Sequence, residues 1–194
     1  MADASAQRTL QDLVSAFERT GTAVLDALGG RPVLTECDTT SREATYNYET
    51  RAVVASWDVR VGLALARGGQ TVSPELVASA GAVYPVAKRA GGPFPDRIGL
   101  GRARTADICV PHASISKYHA YFSHDAGTGA WMVTDARSRN GTAVGDTRVG
   151  PGETMTLVDG ANILFGERRF LFFTDVGLRK LVQGLARSRI GATR

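Results

Sequence analysis

Residues 97–144 read RIGLGRARTADICVPHASISKYHAYFSHDAGTGAWMVTDARSRNGTAV, and this stretch decides the fold. Short runs rich in β-branched and aromatic residues alternate in it with Gly, Asp, Ser and Asn at intervals of about 8–12 residues. The interruptions at 125–129 and 145–146 supply residues that tolerate the positive φ of tight turns. The stretch therefore predicts a mainly β domain with the rhythm of an antiparallel sandwich.

The same alternation of β-rich runs and turn residues covers residues 81–175 and predicts ten strands. They are expected at 83–88, 97–101, 108–110, 119–124, 131–135, 142–144, 147–149, 154–157, 162–165 and 170–174.

Residues 1–80 predict a helical N-terminal region. Apolar side chains at i, i+3 and i+4 spacing indicate a first helix over about 6–28, which stops at two glycines. A capping-box spacing indicates a second helix over about 41–67, although 46–54 could instead be strand. A Ser-Pro start indicates a third over about 74–79. These helices could pack on the sandwich, form a separate bundle, or present an apolar stripe to a second protein.

Residues 176–194 carry five Lys or Arg and no Asp or Glu, and they predict a basic C-terminal helix and tail. The apolar residues Leu178, Leu181, Val182 and Leu185 form a stripe that could lie back on the domain. Cations at a helix end are favoured by the helix dipole, and the tail shows no motif that reads DNA. We therefore expect no nucleic-acid partner.

The composition excludes several classes of protein. With 194 residues the chain is too short for a large multi-domain enzyme. No apolar run reaches the ~18 residues of a membrane helix, and the start lacks a secretory signal, so we expect a cytoplasmic protein without a membrane partner. Cys37 and Cys109 have no C-x-x-C spacing and are expected to stay reduced. No cofactor is indicated.

The polar groups of the β region gather between the predicted strands, at 101–102, 114–119 and 137–142. They comprise guanidinium and ammonium groups, hydroxyls and an amide, with no pair of carboxylates. Such a set of hydrogen-bond donors suits a phosphate, because charge-assisted bonds from Arg are strong and geometrically defined. These loops therefore predict phosphate capture.

Four motifs in this order and spacing resemble the forkhead-associated (FHA) domain over about residues 81–175. They are Gly101-Arg102, Asp107-Ile108-x-Val110, Ser116-Lys117-x-His119-Ala120 and Ser138-Arg139-Asn140-Gly141-Thr142. The resemblance implies an eleven-stranded β-sandwich that reads phosphothreonine through loops at one end.

It also implies a role for each matching residue. Arg102 would pair with the phosphate, and Ser116, Lys117 and Arg139 would add donors to it. Asn140 would bond the peptide main chain beside the phosphothreonine. The positions that the family uses for architecture are Gly101, His119 and Gly141.

The sequence departs from the family pattern at two positions. Lys117 replaces an Arg, which keeps the charge but loses the planar fork. His112 stands where an Asp is common, and it could be either a titratable donor near the phosphate or an exposed loop histidine.

Two groups of residues resemble catalytic or metal sites. Ser116, His119 and Asp135 could form a hydrolytic triad, but there is no G-x-S-x-G elbow and no oxyanion hole. Cys109, His112, His119 and His124 resemble zinc spacing, yet the last two fall on one predicted strand and point to opposite faces. We therefore expect neither catalytic residues nor a metal site.

The sequence predicts a non-enzymatic adaptor that recruits a protein partner phosphorylated by a Ser/Thr kinase, with a second protein bound through the N-terminal helices. The alternative is a structural or scaffold protein that uses the same fold for phospho-independent interaction or dimerisation.

Overall fold

The computed structural model describes residues 8–37, 77, 80–92 and 94–191. Within these ranges the chain forms three helices and eleven strands. The helices are α1 Leu10–Thr20, α2 Ala23–Asp26 and α3 Asp175–Gly191. The strands are β1 Val33–Cys37, β2 Ala80–Pro85, β3 Ile98–Gly101, β4 Ile108–Cys109, β5 Ala120–His124, β6 Trp131–Asp135, β7 Thr142–Val144, β8 Thr147–Val149, β9 Thr154–Leu157, β10 Ala161–Phe165 and β11 Arg168–Phe173.

The strands form two sheets. One sheet has six strands in the order β2-β1-β11-β10-β7-β8, and the other has five in the order β4-β3-β5-β6-β9. All pairings are antiparallel except that of β3 with β4. The predicted mainly β antiparallel sandwich is confirmed, and each of the ten predicted strands is present with its ends shifted by at most about three residues.

A core of large apolar side chains fills the space between the sheets. Phe122 of the five-stranded sheet packs edge-on against Phe165 of the other sheet, with ring centroids 6.2 Å apart, and stacks on Phe172 at 6.4 Å. All three side chains are fully buried. Burying one such ring contributes about 1.5–3 kcal/mol, so this core fixes the two sheets against each other.

A second core lies on the opposite face of the six-stranded sheet, where α1 and α3 cover β1, β2 and β11. We call this part the helix layer. Strand β11 serves both cores, because Phe170 and Phe172 face the other sheet while Leu171 and Phe173 face the helices. The C-terminal helix predicted from its apolar stripe is confirmed, and its stripe is buried in this layer. None of the described helices is long and apolar enough to cross a membrane.

Strand β1 departs from the expected helical N-terminal region. It is an interior strand of the six-stranded sheet, between the edge strand β2 and β11, so the sandwich starts at residue 33 rather than near 81. Leu34 points into the inter-sheet core, while Val33 and Cys37 point into the helix layer. Because both faces of β1 are buried, its sequence lacks the apolar-polar alternation that reveals a half-exposed strand.

The first predicted helix is also shorter than expected. Thr9 caps α1 through a reciprocal capping box with Asp12, and the helix ends at Gly21, whose φ is 62°. This left-handed glycine separates α1 from α2, so the apolar pattern over 6–28 spans two helices. The predicted helix 41–67 lies outside the described residues. Of the predicted helix 74–79, the structure describes only Val77, which is buried in the helix layer.

Candidate functional site

Three loops meet at one end of the five-stranded sheet. The first loop (102–107) follows β3, the second (110–119) joins β4 to β5, and the third (136–141) follows β6. Residue 100 pairs with residue 120, and residue 120 pairs with residue 135, so these strand ends lie side by side. The antiparallel register therefore brings together the segments that carry the predicted site residues.

Main-chain hydrogen bonds join the first loop to the second. The N–H of Arg102 donates to the carbonyl of Ser116 at 2.9 Å, and that of Ala103 donates to the carbonyl of Lys117 at 3.2 Å. Gly101 makes this approach possible, because a Cβ at that position would overlap the carbonyl of Lys117. The backbones of residues 102 and 116 are thus in direct contact.

Side chains join the second loop to the third. The N–H of Arg139 donates to Oγ of Ser116 at 3.0 Å, and Nδ2 of Asn140 donates to the carbonyl of Ser114 at 2.7 Å. Within the described part of the chain, the hydroxyl proton of Ser116 has no acceptor. Arg102, Ser116, Arg139 and Asn140 are therefore neighbours, and Ser116 retains one hydrogen-bond donor.

His119 lies beneath these loops and is fully buried. Its Nδ1 accepts from the N–H of Ser116 at 3.1 Å, so the proton sits on Nε2, which donates to the carbonyl of Gly141 at 3.1 Å. Burial lowers the pKa of His119, although the bond to Gly141 and the nearby Asp135 oppose the shift. The ring is therefore held as a neutral imidazole that links the second and third loops.

Asp135 holds the third loop from within. Its carboxylate accepts from the N–H and the hydroxyl of Ser138 at 2.9 and 2.7 Å, and from the hydroxyl of Thr142 at 2.6 Å. Burial pushes the pKa of Asp135 upward, but these hydrogen bonds outweigh it and the pKa lies below its usual value. Ser138 in turn stabilises Gly141, since its Oγ accepts a hydrogen bond from the N–H of Gly141. The loop is fixed before any ligand arrives.

The surface above this scaffold is cationic. Arg102, Lys117 and Arg139 are exposed. The ion pairs among the described residues are Lys88–Asp107, Arg97–Asp96, Arg168–Glu36, Arg179–Asp26 and Arg179–Asp175. No described carboxylate therefore neutralises the loop cations, and an anion from outside can bind them.

His112 is half-buried and braces the second loop. Its Nδ1 accepts from the N–H of Ser114 at 3.2 Å and lies 2.8 Å from the hydroxyl of Ser114, which itself accepts from the N–H of Glu167. The interpretation of His112 as an exposed loop histidine is therefore wrong, because packing and two hydrogen bonds hold its ring. The interpretation as a donor to phosphate stays a prediction.

Two further arginines lie at this end of the molecule. Arg137 is exposed in the third loop with a φ of 60°, and Arg148 is exposed on β8. The Nη2 atom of Arg148 lies 2.9 Å from the point that a Cβ on Gly141 would occupy. No motif marks Arg148, which reaches Gly141 only because the β7–β8 hairpin folds back. Sequence reasoning could have found Arg137 from its place in the loop, but not Arg148.

The geometry does not support the hydrolytic triad. Neither ring nitrogen of His119 bonds to Oγ of Ser116, since one accepts from a main-chain N–H and the other donates to a carbonyl. Asp135 bonds to Ser138 and Thr142 instead of to the imidazole. Among the described residues, no group of three or more His, Cys, Asp and Glu could hold a metal ion.

Comparisons with known proteins found one family model and several solved structures that are similar to the chain. The FHA domain family model matches residues 98–166. A solution structure of the FHA-2 domain of the Mycobacterium tuberculosis ABC transporter Rv1747 is 31% identical, with 42% of this chain and 70% of that chain covered and a TM-score of 0.33. No curated protein gave a match.

Two further solved structures are similar to the chain. The FHA domain of CT664 from Chlamydia trachomatis is 17% identical, with 74% of this chain and 96% of that chain covered and a TM-score of 0.43. The MEK1 FHA domain, solved with a phosphothreonine peptide of HOP1, is 22% identical, with 47% and 87% covered and a TM-score of 0.38. Residues 98–166 are thus an FHA domain, and FHA domains are phosphothreonine-binding modules.

Proposed function

We propose that this chain is a signalling adaptor that binds a phosphothreonine peptide of a protein partner after a Ser/Thr kinase has modified that partner. The observation that carries the proposal is the junction at Ser116. Its carbonyl accepts from the N–H of Arg102, and its hydroxyl oxygen accepts from the N–H of Arg139. One residue thus gathers the donors of all three loops around itself.

Each neighbouring group has a chemical role in this proposal. Arg102 supplies a guanidinium to the phosphate, and Ser116 supplies its remaining hydroxyl proton. Lys117 and Arg139 add positive charge. A phosphate ester carries about −1.5 to −2 charges and three acceptor oxygens at neutral pH, so it can accept from several of these donors at once. An unmodified threonine hydroxyl cannot.

Asn140 reads the main chain of the peptide in this proposal. One of its amide protons bonds to the carbonyl of Ser114, which fixes the orientation of the side chain. The carbonyl oxygen and the second amide proton then remain for a peptide N–H and C=O. Such contacts set the register of an extended peptide without selecting its side chains.

The buried hydrogen bonds of the scaffold support binding in a second way. His119 and Asp135 hold the loops in place beforehand, so binding costs little loop ordering. We therefore expect the affinity to depend on charge and to weaken as salt rises.

The experiment uses a phosphothreonine-oriented peptide library, followed by calorimetric titration of its best binder and the unphosphorylated twin. We expect the wild-type chain to bind only the phosphorylated peptide. Arg102→Ala should weaken binding about tenfold to a hundredfold, because bonds to charged groups contribute about 1.5–3 kcal/mol each. Arg187→Ala is the matched control, since Arg187 is an exposed arginine on α3, and it should bind as the wild type does.

Equal binding of both peptides, or equal affinities for the wild type and Arg102→Ala, would overturn the proposal. Equal binding of the two peptides would favour the phospho-independent scaffold instead.

The adaptor role also needs a second partner, and α1 does not offer its apolar face to one. Leu10, Leu13 and Val14 are fully buried in the helix layer. We therefore propose the predicted helix 41–67 as the segment through which a second protein binds. Co-precipitation with the full chain and with a variant lacking 41–67 tests this; a partner retained equally by both would rule that segment out.

A further inference from the structure

Arg148 lies beside the proposed peptide site but has no part in the phosphate contacts described above. It stands on β8, opposite Ala143 of β7, and its guanidinium lies against Gly141. Gly141 has a φ of 85°, and the Nη2, Cζ and Nε atoms of Arg148 lie 2.9, 3.3 and 3.4 Å from the point that a Cβ on Gly141 would occupy. A side chain at residue 141 would occupy that space, so the glycine allows the arginine to approach the third loop.

Arg148 lies against a residue whose backbone is firmly held, and its own charge is unpaired among the described residues. Gly141 is itself held by three hydrogen bonds, since its N–H donates to Ser138 and its carbonyl accepts from His119 and from the N–H of Gly166. Arg148 is exposed, and no described carboxylate forms an ion pair with it. A guanidinium placed this way is available to an external carboxylate.

The proposed path of the peptide brings such a carboxylate within reach. If Asn140 holds the main chain beside the phosphothreonine, the peptide also lies close to Gly141, the next residue of the domain, and so to Arg148, which contacts Gly141. An extended peptide advances about 3.3 Å per residue, so the residues within three positions of the phosphothreonine lie within about 10 Å of it along the chain. A side chain within three residues of the phosphothreonine can therefore meet Arg148.

We propose that Arg148 is a specificity-determining residue that binds a carboxylate on the peptide within three residues of the phosphothreonine, so that this domain prefers acidic phosphothreonine peptides. The inference rests on the proposed function and deepens it. The ion pair lies at the rim of the site and is exposed, so it adds selectivity rather than most of the affinity.

The test compares three phosphothreonine peptides. One has Gln at each of the three positions on both sides, the second has Glu at the three preceding positions, and the third has Glu at the three following positions. Each is titrated, with its unphosphorylated twin, into the wild type, Arg148→Gln, Arg148→Lys and Arg187→Gln. The last variant removes the same charge from α3, outside the proposed site.

We expect one of the acidic peptides to bind the wild type about two- to fivefold more tightly than the Gln peptide, the range of an exposed ion pair. Arg148→Gln should abolish this ratio while still requiring the phosphate. Arg148→Lys should keep part of the ratio, and Arg187→Gln should keep all of it.

Equal affinities of the wild type for all three phosphopeptides, or an unchanged ratio in Arg148→Gln, would overturn the inference while leaving phosphothreonine binding in place. If the wild type fails to distinguish phosphorylated from unphosphorylated peptides, the proposed function fails and this inference fails with it.

Discussion

The loop end of the sandwich and the helix layer are built from different groups. In the helix layer, Leu13 and Leu181 are fully buried among other apolar side chains. At the loop end, the buried polar side chains of His119 and Asp135 bond to Ser116 and Ser138, while the cationic side chains of the same loops are exposed. Apolar burial therefore stabilises the helix layer, whereas the proposed binding surface is a set of exposed cations supported by buried polar groups.

The largest loss of stability is expected from a substitution in the helix layer. Leu181→Ala removes a fully buried side chain of α3 and should lower the free energy of unfolding by about 2–5 kcal/mol. Chemical denaturation measures this loss, and phosphopeptide affinity of the folded protein should not change. Val176→Ala on the same helix is the control, because Val176 is 57% exposed and should cost less than about 0.5 kcal/mol. If Leu181→Ala lost as much affinity as Arg102→Ala, the helix layer would contribute to peptide binding and not only to stability.

The next substitution, Gly101→Ala, should lower both stability and phosphopeptide binding. A Cβ in Gly101→Ala would overlap the backbone carbonyl of Lys117, which cannot move without shifting the second loop. We expect a stability loss of about 1–3 kcal/mol together with weaker phosphopeptide binding. Thermal melting and calorimetry measure the two effects. Gly127→Ala in the exposed β5–β6 turn is the control, since its Cβ would meet only Oδ1 of Asp125 at 3.3 Å. Wild-type binding by Gly101→Ala would show that the loop contact is not needed.

These expectations indicate how much of the molecule its sequence predicts. The sequence predicts ten strands because short runs rich in β-branched and aromatic residues are separated by turn residues such as Gly129, and because some runs, such as β5 and β10, alternate between buried and less buried residues. Strand β1 was not predicted, because burial on both faces leaves no period of two. The break between α1 and α2 depends on one glycine with positive φ inside an otherwise helical pattern.

The candidate site was predicted only in part. Residue type and order point to Arg102, Ser116 and Asn140, and the register of β3, β5 and β6 places them together. The approach of Arg148 to Gly141 depends on the direction of a side chain across a hairpin, which no linear pattern records. The tautomer of His119 likewise depends on a main-chain donor brought in by folding.

A smaller loss of stability is expected when the N-terminal cap of α1 is removed. Thr9→Ala removes the capping box of α1, in which Oγ1 of Thr9 accepts from the N–H of Asp12 at 3.1 Å. The helix layer should lose about 1 kcal/mol of stability, as measured by urea denaturation, and binding should be unaffected. Thr128→Ala, in the β5–β6 turn, serves as a control for removing an exposed threonine that caps no helix. No loss in Thr9→Ala would mean that the start of α1 adds nothing to the layer.

The mildest perturbation is a change of pH. Because burial lowers the pKa of His119 below 6.5, the unfolded chain takes up a proton more readily than the folded chain as pH falls through that value. The contribution of neutral His119 is therefore fully present above about pH 6.5 and is lost progressively below it. Denaturation curves at pH 7.5 and 5.5 measure the loss, and His119→Gln should reduce the difference between them. An equal pH dependence in the variant would assign the effect to other groups.

Amide chemical-shift mapping with the best phosphothreonine peptide shows directly which residues contact the phosphate. We expect the peptide to shift the amide signals of Arg102, Ser116 and Arg139 and to leave that of Leu181 in the helix layer unchanged. The unphosphorylated twin should shift none of them. Equal shifts with both peptides, or shifts confined to the helix layer, would contradict phosphate capture by the three loops.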